Sequence, residues 1–251
     1  MARKKKSELE YEQFKLTAKE LELVKSSTAC DSIRVNIKPK NENQKLYWKY
    51  LKDYNKEIVI CGGAPGCGKS YMSVGYALKA LKEGDYEFVK ILIPTVEASS
   101  VLKIGMLPGT IDEKVNPWKE STTYLIEKIL KDSGADNPEK VAKYLIDSGK
   151  ISFEIMSYIR GRNFDNTLLL LEESENLSHE EMLLAITRCG EGSKIVISGD
   201  SRQSDRKYPN NTSGLEHAIK VLEGMEEVGI VKFHDEDVVR NDIITKILKV
   251  W

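Results

Sequence analysis

Gly63-Ala64-Pro65-Gly66-Cys67-Gly68-Lys69-Ser70 decides the reading of this chain. The octapeptide fits G-x-x-x-x-G-K-[ST] at every fixed position. Ahead of it, Glu57-Ile58-Val59-Ile60-Cys61 is short, apolar and β-branched, as a buried parallel strand is. After it, Tyr71, Val74, Ala77, Leu78 and Leu81 recur at helical spacing. Strand, loop and helix are what a phosphate cradle requires. Three glycines let backbone N–H groups come close to an anion, and the helix N-terminus adds positive partial charge. Lys69 has the reach for β- and γ-phosphates, and the Ser70 hydroxyl suits Mg²⁺. A nucleotide would therefore touch the run from Gly63 to Tyr71. A glycine-rich turn with a chance GKS is the competing reading, and the flanking strand and helix count against it.

Working outward, four more apolar runs read as strands: Phe88–Ile93, Ile151–Ile155, Thr167–Leu171 and Lys194–Ser198, with a last one at Gly229–Phe233. Alternation with helical segments predicts a single α/β domain, its mostly parallel, doubly wound sheet covered by helices on both faces. The stretch from about 111 to 148 reads as helical and polar, broken near Asp132–Asp136. Ser178 with Glu181 three residues on marks a helix start. Ser213-Gly214-Leu215 opens another helix, reaching about Met225. The boundaries expected are an N-terminal arm or small helical extension over residues 1–42 and the phosphate-loop domain over residues 43–251.

The run Thr167–Leu171 ends in Glu172-Glu173. Opposite a phosphate loop, the first carboxylate suits the Mg²⁺ shell and the second suits orientation of the attacking water. A helix that starts acidic for dipole reasons would look similar. The strand Lys194–Ser198 opens into Gly199-Asp200-Ser201-Arg202-Gln203, where the Gln203 amide can sense the γ-phosphate. Gln44, just ahead of the first strand, can pair with an adenine edge through its donor and acceptor together. A helix start with Tyr47 and Trp48 packed on the core explains that stretch equally well. Arg160 and Arg162 flank Gly161 at a strand end, where guanidinium forks suit phosphates. Surface arginines in structural ion pairs would share that pattern. Arg240 sits at a strand–helix junction, a natural place for a charge that neutralises phosphate.

Composition sets the outer limits. The chain has 251 residues, 41% hydrophobic and 31% charged, enough for one sizeable core. Thirty-eight basic residues against thirty-nine acidic give a net charge of −1, so any nucleic-acid binding must use local patches. Cys30, Cys61, Cys67 and Cys189 form no CxxC pair, which points to free thiols in a reducing compartment. Three scattered histidines argue against a histidine metal site. The basic start Ala2–Lys6 lacks a following apolar run, so it reads as a solvated tail or an RNA-touching arm and not a signal peptide. No run approaches the ~18 apolar residues of a membrane span.

Taken together, the residues resemble the PhoH family, single-domain ATPases whose RecA-like core is similar to superfamily 1 helicases. The likeness rests on Gly63–Ser70, Pro94-Thr95-Val96-Glu97-Ala98, Leu107-Pro108-Gly109, Glu113–Pro117, Tyr158-Ile159-Arg160-Gly161-Arg162, Leu171–Asn176, Thr187-Arg188, Ser198-Gly199-Asp200 with Gln203 and Asp205, Ser213-Gly214-Leu215 and Asp237-Val238-Val239-Arg240. Three positions depart from it: the family usually has Asp at Glu172, Gln at Glu175 and Arg at Ile93. The resemblance implies an Mg²⁺-dependent ATPase coupled to RNA or single-stranded nucleic acid, in a cytoplasm, or a host's cytoplasm if phage-encoded. It also implies a homo-oligomer, with a hexameric ring as one form, in which Arg188 or Arg240 completes a neighbour's site. Two other functions start from the same loop: a nucleotide-gated assembly module with negligible turnover, motivated by Glu172, and a small-molecule kinase, which leaves Glu172-Glu173 and Gln203 without a role.

Overall fold

The structure is a computed structural model that describes residues 28–94, 111–204 and 212–239. Strands β1 (Ile58–Gly63), β2 (Phe88–Ile93), β3 (Ile151–Ile155), β4 (Thr167–Leu171), β5 (Lys194–Gly199) and β6 (Val228–Phe233) form one sheet in the order β3-β2-β4-β5-β1-β6. Every pairing is parallel. The interior strands β4 and β5 are buried throughout, which is why their sequences are continuous apolar runs. The outer strand β6 carries the exposed Lys232.

Alternate side chains of each strand feed two different cores. Val59, Leu168, Leu170, Val196 and Val231 face one side. There they pack under helices α1 (Glu42–Lys52), α2 (Lys69–Glu83), α3 (Ile111–Asp132) and α4 (Pro138–Asp147). Ile60, Leu169, Leu171, Ile195 and Ile197 face the other side, under α5 (His179–Ile186) and α6 (Gly214–Leu222). The expected α/β layering, with helices on both faces, is what the chain adopts. Ile33 is fully buried in the first of these cores, so residues ahead of position 43 also contribute to it.

Local chemistry fixes the helix ends. The Asn41 side chain accepts from the Gln44 N–H to start α1. Ser178 and Glu181 form a reciprocal capping box on α5, and Ser213 and Glu216 do the same on α6. α6 ends at Leu222, short of Met225, because Glu223 turns extended and Gly224 takes φ 94°. β1 runs two residues further than expected, to Gly63, following the β6 ladder to Phe233. All four cysteines are free thiols. Among the described residues no helix is long and apolar enough to cross a membrane.

Candidate nucleotide site

Sheet register brings the site together. Gly62 on β1 pairs with Gly199 on β5, and Ile197 on β5 pairs with Leu171 on β4. The loop after β1, Glu172 after β4 and Asp200 after β5 therefore emerge on one edge of the sheet. A cleft of about 250 Å³ lies between them. Pro65, Gly66, Gly68, Lys69, Ser70 and Tyr71 line one wall, and Glu172, Glu173, Glu175, Gly199, Asp200 and Gln203 line the other. This is where an open parallel sheet binds ligands.

The phosphate loop has the backbone that its glycines imply. Gly63, Gly66 and Gly68 have φ of 129°, 86° and 85°. At Gly63 a Cβ would also lie 2.0 Å from the Phe233 carbonyl oxygen, so no other residue fits. Lys69 opens α2 with no side-chain cap before it, leaving first-turn N–H groups for an anion. The Lys69 ammonium donates to the carbonyls of Gly63 (2.7 Å) and Ala64 (2.9 Å), which holds it beneath the loop. Ala64 and Cys67 are buried behind the loop. The Cys67 thiol donates to the Ala64 carbonyl, and burial raises its pKa.

Gln44 lies behind the loop and does not line the cleft. It is 4% exposed, its Oε1 accepts from the Lys40 N–H (2.7 Å), and its Nε2 donates to the Cys67 carbonyl (2.8 Å). Its amide shapes the loop. A second brace comes from the turn after β6: the Val239 N–H donates to the Gly66 carbonyl (3.1 Å). Asp237 fixes that turn by accepting from Asn43 Nδ2 (2.7 Å) and the His234 N–H (2.8 Å). Arg240 follows in sequence and lies outside the described residues, as do Thr95–Ala98, Leu107–Gly109 and Asp205.

The two adjacent carboxylates have different environments. Glu172 is half-buried, and Ser73 Oγ donates to its Oε1 at 3.3 Å. Burial pushes its pKa above the ordinary range, while the hydroxyls of Ser70 and Ser73 and the Lys69 ammonium pull it back. Glu173 is exposed, with φ 53° and ψ 37°, a left-handed backbone that side-chain-bearing residues avoid. Glu175 is 1% exposed and its Oε2 accepts from the Asp200 N–H at 3.0 Å. Gln203 ends a short 3-10 turn, Ser201–Gln203, and lines the same wall.

Ser70 and Glu172 fit a hard divalent cation: both present oxygen, and both line the cleft. Among the described residues no cluster of three His, Cys, Asp or Glu could hold a metal unaided. That is the donor set of Mg²⁺ sites, where one or two protein oxygens are completed by phosphates and water.

Arg160, Arg162 and Arg188 do not line the cleft. Arg162 Nη1 contacts Glu154 Oε2 (2.8 Å) and its guanidinium lies 5.0 Å from the Phe164 ring centre. Arg188, at the end of α5, donates from Nη1 to the Arg162 carbonyl (2.8 Å) and from Nη2 to Thr187 Oγ1 (3.2 Å). Lys90 Nζ also bonds Glu154 (2.9 Å). Arg160 is exposed and forms no ion pair among the described residues; Tyr158 beside it is 60% exposed. Sequence reasoning gave Ser73 and Asp237 no part in the site, and gave Glu175 none beyond noting its departure from the family. The one signal for Ser73 is its position a helical turn beyond Ser70, on the same face of α2.

The chain is 34% identical over 248 residues to a PhoH-like protein of Bacillus subtilis (strain 168), covering 98% of this chain and 71% of that protein. It is 32% identical over 216 residues to the protein PhoH of Escherichia coli (strain K12), covering 86% and 58%. A PhoH-like protein of Mycobacterium tuberculosis (strain H37Rv) is 31% identical over 217 residues, again at 86% and 58%. The chain thus spans between about three-fifths and seven-tenths of these relatives' length. The structure aligns with the UvsW helicase from bacteriophage T4 at TM-score 0.42 and 11% identity, over 88% of this chain and 68% of that one. The sequence profile described as PhoH-like protein matches residues 36–251, and the chain belongs to the PhoH family.

Proposed function

We propose that this chain binds ATP with Mg²⁺ and hydrolyses it, coupled to RNA or single-stranded nucleic acid. The observation that carries the reading is the contrast between Glu172 and Glu173. One carboxylate is half-buried against the Ser73 hydroxyl, and its neighbour is exposed at the cleft wall on a left-handed backbone. Adjacent acids in two environments can serve two roles. The loop N–H groups and Lys69 would bind the phosphates, with Ser70 and Glu172 holding the cation. When bound, Mg²⁺ neutralises charge developing on the β- and γ-phosphates. Glu173 orients the attacking water, and Gln203 reaches that water or the γ-phosphate. Tyr71, which lines the cleft, would touch the nucleotide. The exposed Arg160 and the Arg162–Arg188 pair supply cations for a phosphate backbone.

A neighbouring copy would complete the site with Arg188 or Arg240, so the active form is a homo-oligomer, a hexameric ring being the form the family resemblance implies. The place of work is a cytoplasm, the host's if the chain is phage-encoded. The test is phosphate release from Mg·ATP with and without single-stranded RNA, beside Glu173→Gln. RNA-stimulated release that Glu173→Gln abolishes supports the proposal. ATP binding with no release under any condition replaces it with a nucleotide-gated module.

A further inference from the structure

Ser73 lies outside the loop motif, yet it is the residue that Glu172 touches. It sits one turn beyond Ser70 on α2 and is 1% exposed. Its hydroxyl lies 3.1 Å from the Ser70 carbonyl oxygen and 3.3 Å from Glu172 Oε1. A hydroxyl has one proton to give. Of these two acceptors the ionised carboxylate is the stronger, since charge-assisted bonds are about twice as strong as neutral ones. The end of β4 is fixed by its ladder, with Leu171 opposite Ile197 on β5 and opposite Leu92 on β2. The extra methylene of a glutamate must therefore be taken up by the side chain, and it is taken up by reaching the second turn of α2. An aspartate at 172 would stop short of Ser73.

We propose that Ser73 is a positioning residue for a divalent cation held by Ser70 and Glu172. Its hydroxyl pins one oxygen of the long carboxylate to α2, which leaves the other oxygen for the cation. The inference rests on the nucleotide-and-cation reading above. It makes Ser73 and Glu172 a matched pair: the serine matters because the acid is glutamate.

The experiment is a double-mutant cycle read by binding, not turnover. A fluorescent N-methylanthraniloyl-ATP is titrated onto the full chain at rising Mg²⁺, with an EDTA baseline. Ser73→Ala is expected to raise the Mg²⁺ concentration for half-maximal binding by about tenfold, the low end for losing a group that orients a metal ligand. The EDTA baseline is expected not to move, and Ser73→Thr, which keeps the hydroxyl, should restore the wild-type Mg²⁺ requirement. In a Glu172→Asp background, Ser73→Ala should change that requirement by less than about twofold, because the coupling is already gone. Equal losses in both backgrounds would show Ser73 acting through α2 itself and overturn the proposal. So would no change in either. If Ser73→Ala melts below the assay temperature, Ser73→Cys replaces it, keeping the volume with a weaker donor. A wild-type chain whose nucleotide binding ignores Mg²⁺ would instead remove the cation reading on which the inference stands.

Discussion

The Glu175 carboxylate accepts a hydrogen bond from the Asp200 backbone N–H at 3.0 Å, tying the turn after β4 to the end of β5. The contact is close-packed: a Cβ at Gly199 would lie 2.4 Å from Glu175 Oε2. Burial, and then the neighbouring Glu173 carboxyl, push Glu175 up to about 7 from an ordinary 4.5. A carboxyl with a raised folded-state pKa holds its proton more tightly in the native chain. Its contribution to stability is complete below pH 4.5 and is lost as pH rises to about 7. Glu175→Gln carries no such titration. The melting temperature of wild type relative to Glu175→Gln should therefore fall across that window. The gap above pH 7 is bounded by about 3 kcal/mol. Two parallel melting-temperature profiles would show that Glu175 titrates normally.

The same junction predicts a steric result. Gly199→Ala would drive a methyl into Glu175 Oε2 and to within 2.9 Å of the Glu175 backbone nitrogen. The side-chain oxygen can swing away but the backbone cannot, so a loss of about 1–3 kcal/mol is expected. Gly63→Ala is worse. Its methyl meets the Phe233 carbonyl oxygen at 2.0 Å from a φ of 129°. A loss above about 4 kcal/mol, or no soluble folded protein, is expected. Urea unfolding of both variants orders them. Gly63→Ala as stable as Gly199→Ala would refute the ranking.

How far these features were legible follows from the distance over which each is encoded. The loop, its strand and its helix are adjacent in the chain, so Gly63–Ser70 is legible from the sequence alone. Strands β2, β3 and β4 were bounded correctly because parallel burial leaves unbroken apolar runs. The Ser178–Glu181 cap was visible because both members lie within four residues. Glu172 and Gln203 reach the cleft through strand register, which the alternation of strands and helices implies. Gln44 was misdirected: its amide spans from Lys40 to Cys67, and only the packing of α1 against the loop reveals that. Asp237 was not seen as a brace because its partner Asn43 lies 194 positions away. Arg188 and Arg162 were read as separate features, and a backbone contact across 26 positions joins them.

Lys194 carries a stability prediction unrelated to the cleft. It is 1% exposed, and its ammonium donates to the carbonyls of Leu51 (2.6 Å) and Asp53 (2.9 Å) at the end of α1. The Leu51 carbonyl belongs to the last turn, where no helical N–H follows to serve it; the Asp53 carbonyl also accepts from the Lys56 N–H (3.0 Å), and the cation suits the negative end of the dipole. Lys194→Met keeps much of the volume and removes the donors. Leaving the Leu51 carbonyl without that donor costs more than is regained by not burying the charge, so a net loss of about 1–3 kcal/mol is expected. α1 carries Gln44, so nucleotide affinity should weaken as well. Denaturant unfolding and nucleotide titration read the two effects. A stabilised variant would mean that desolvating the ammonium outweighs its capping.

Arg188 poses the question of a shared site. Its guanidinium is held in its own chain by the Arg162 carbonyl and Thr187 Oγ1, and its Nε is buried with no hydrogen-bond partner among the described residues. A neighbour's phosphates would give that cation a stronger acceptor than a neutral carbonyl. If Arg188 acts across an interface, chains with Lys69→Ala and chains with Arg188→Ala are each expected to lose at least about a thousandfold in ATP turnover. Mixed and reassembled at equal amounts, they should recover activity. In a closed ring of random composition, roughly a quarter of interfaces join an intact Lys69 to an intact neighbouring Arg188. Steady-state phosphate release from the mixture should then approach that fraction of wild type, with assembly followed by size-exclusion chromatography. Arg240→Ala in place of Arg188→Ala tests the other candidate. Mixed oligomers that form and stay silent would place the arginine in its own chain's site and remove the reason for a shared one.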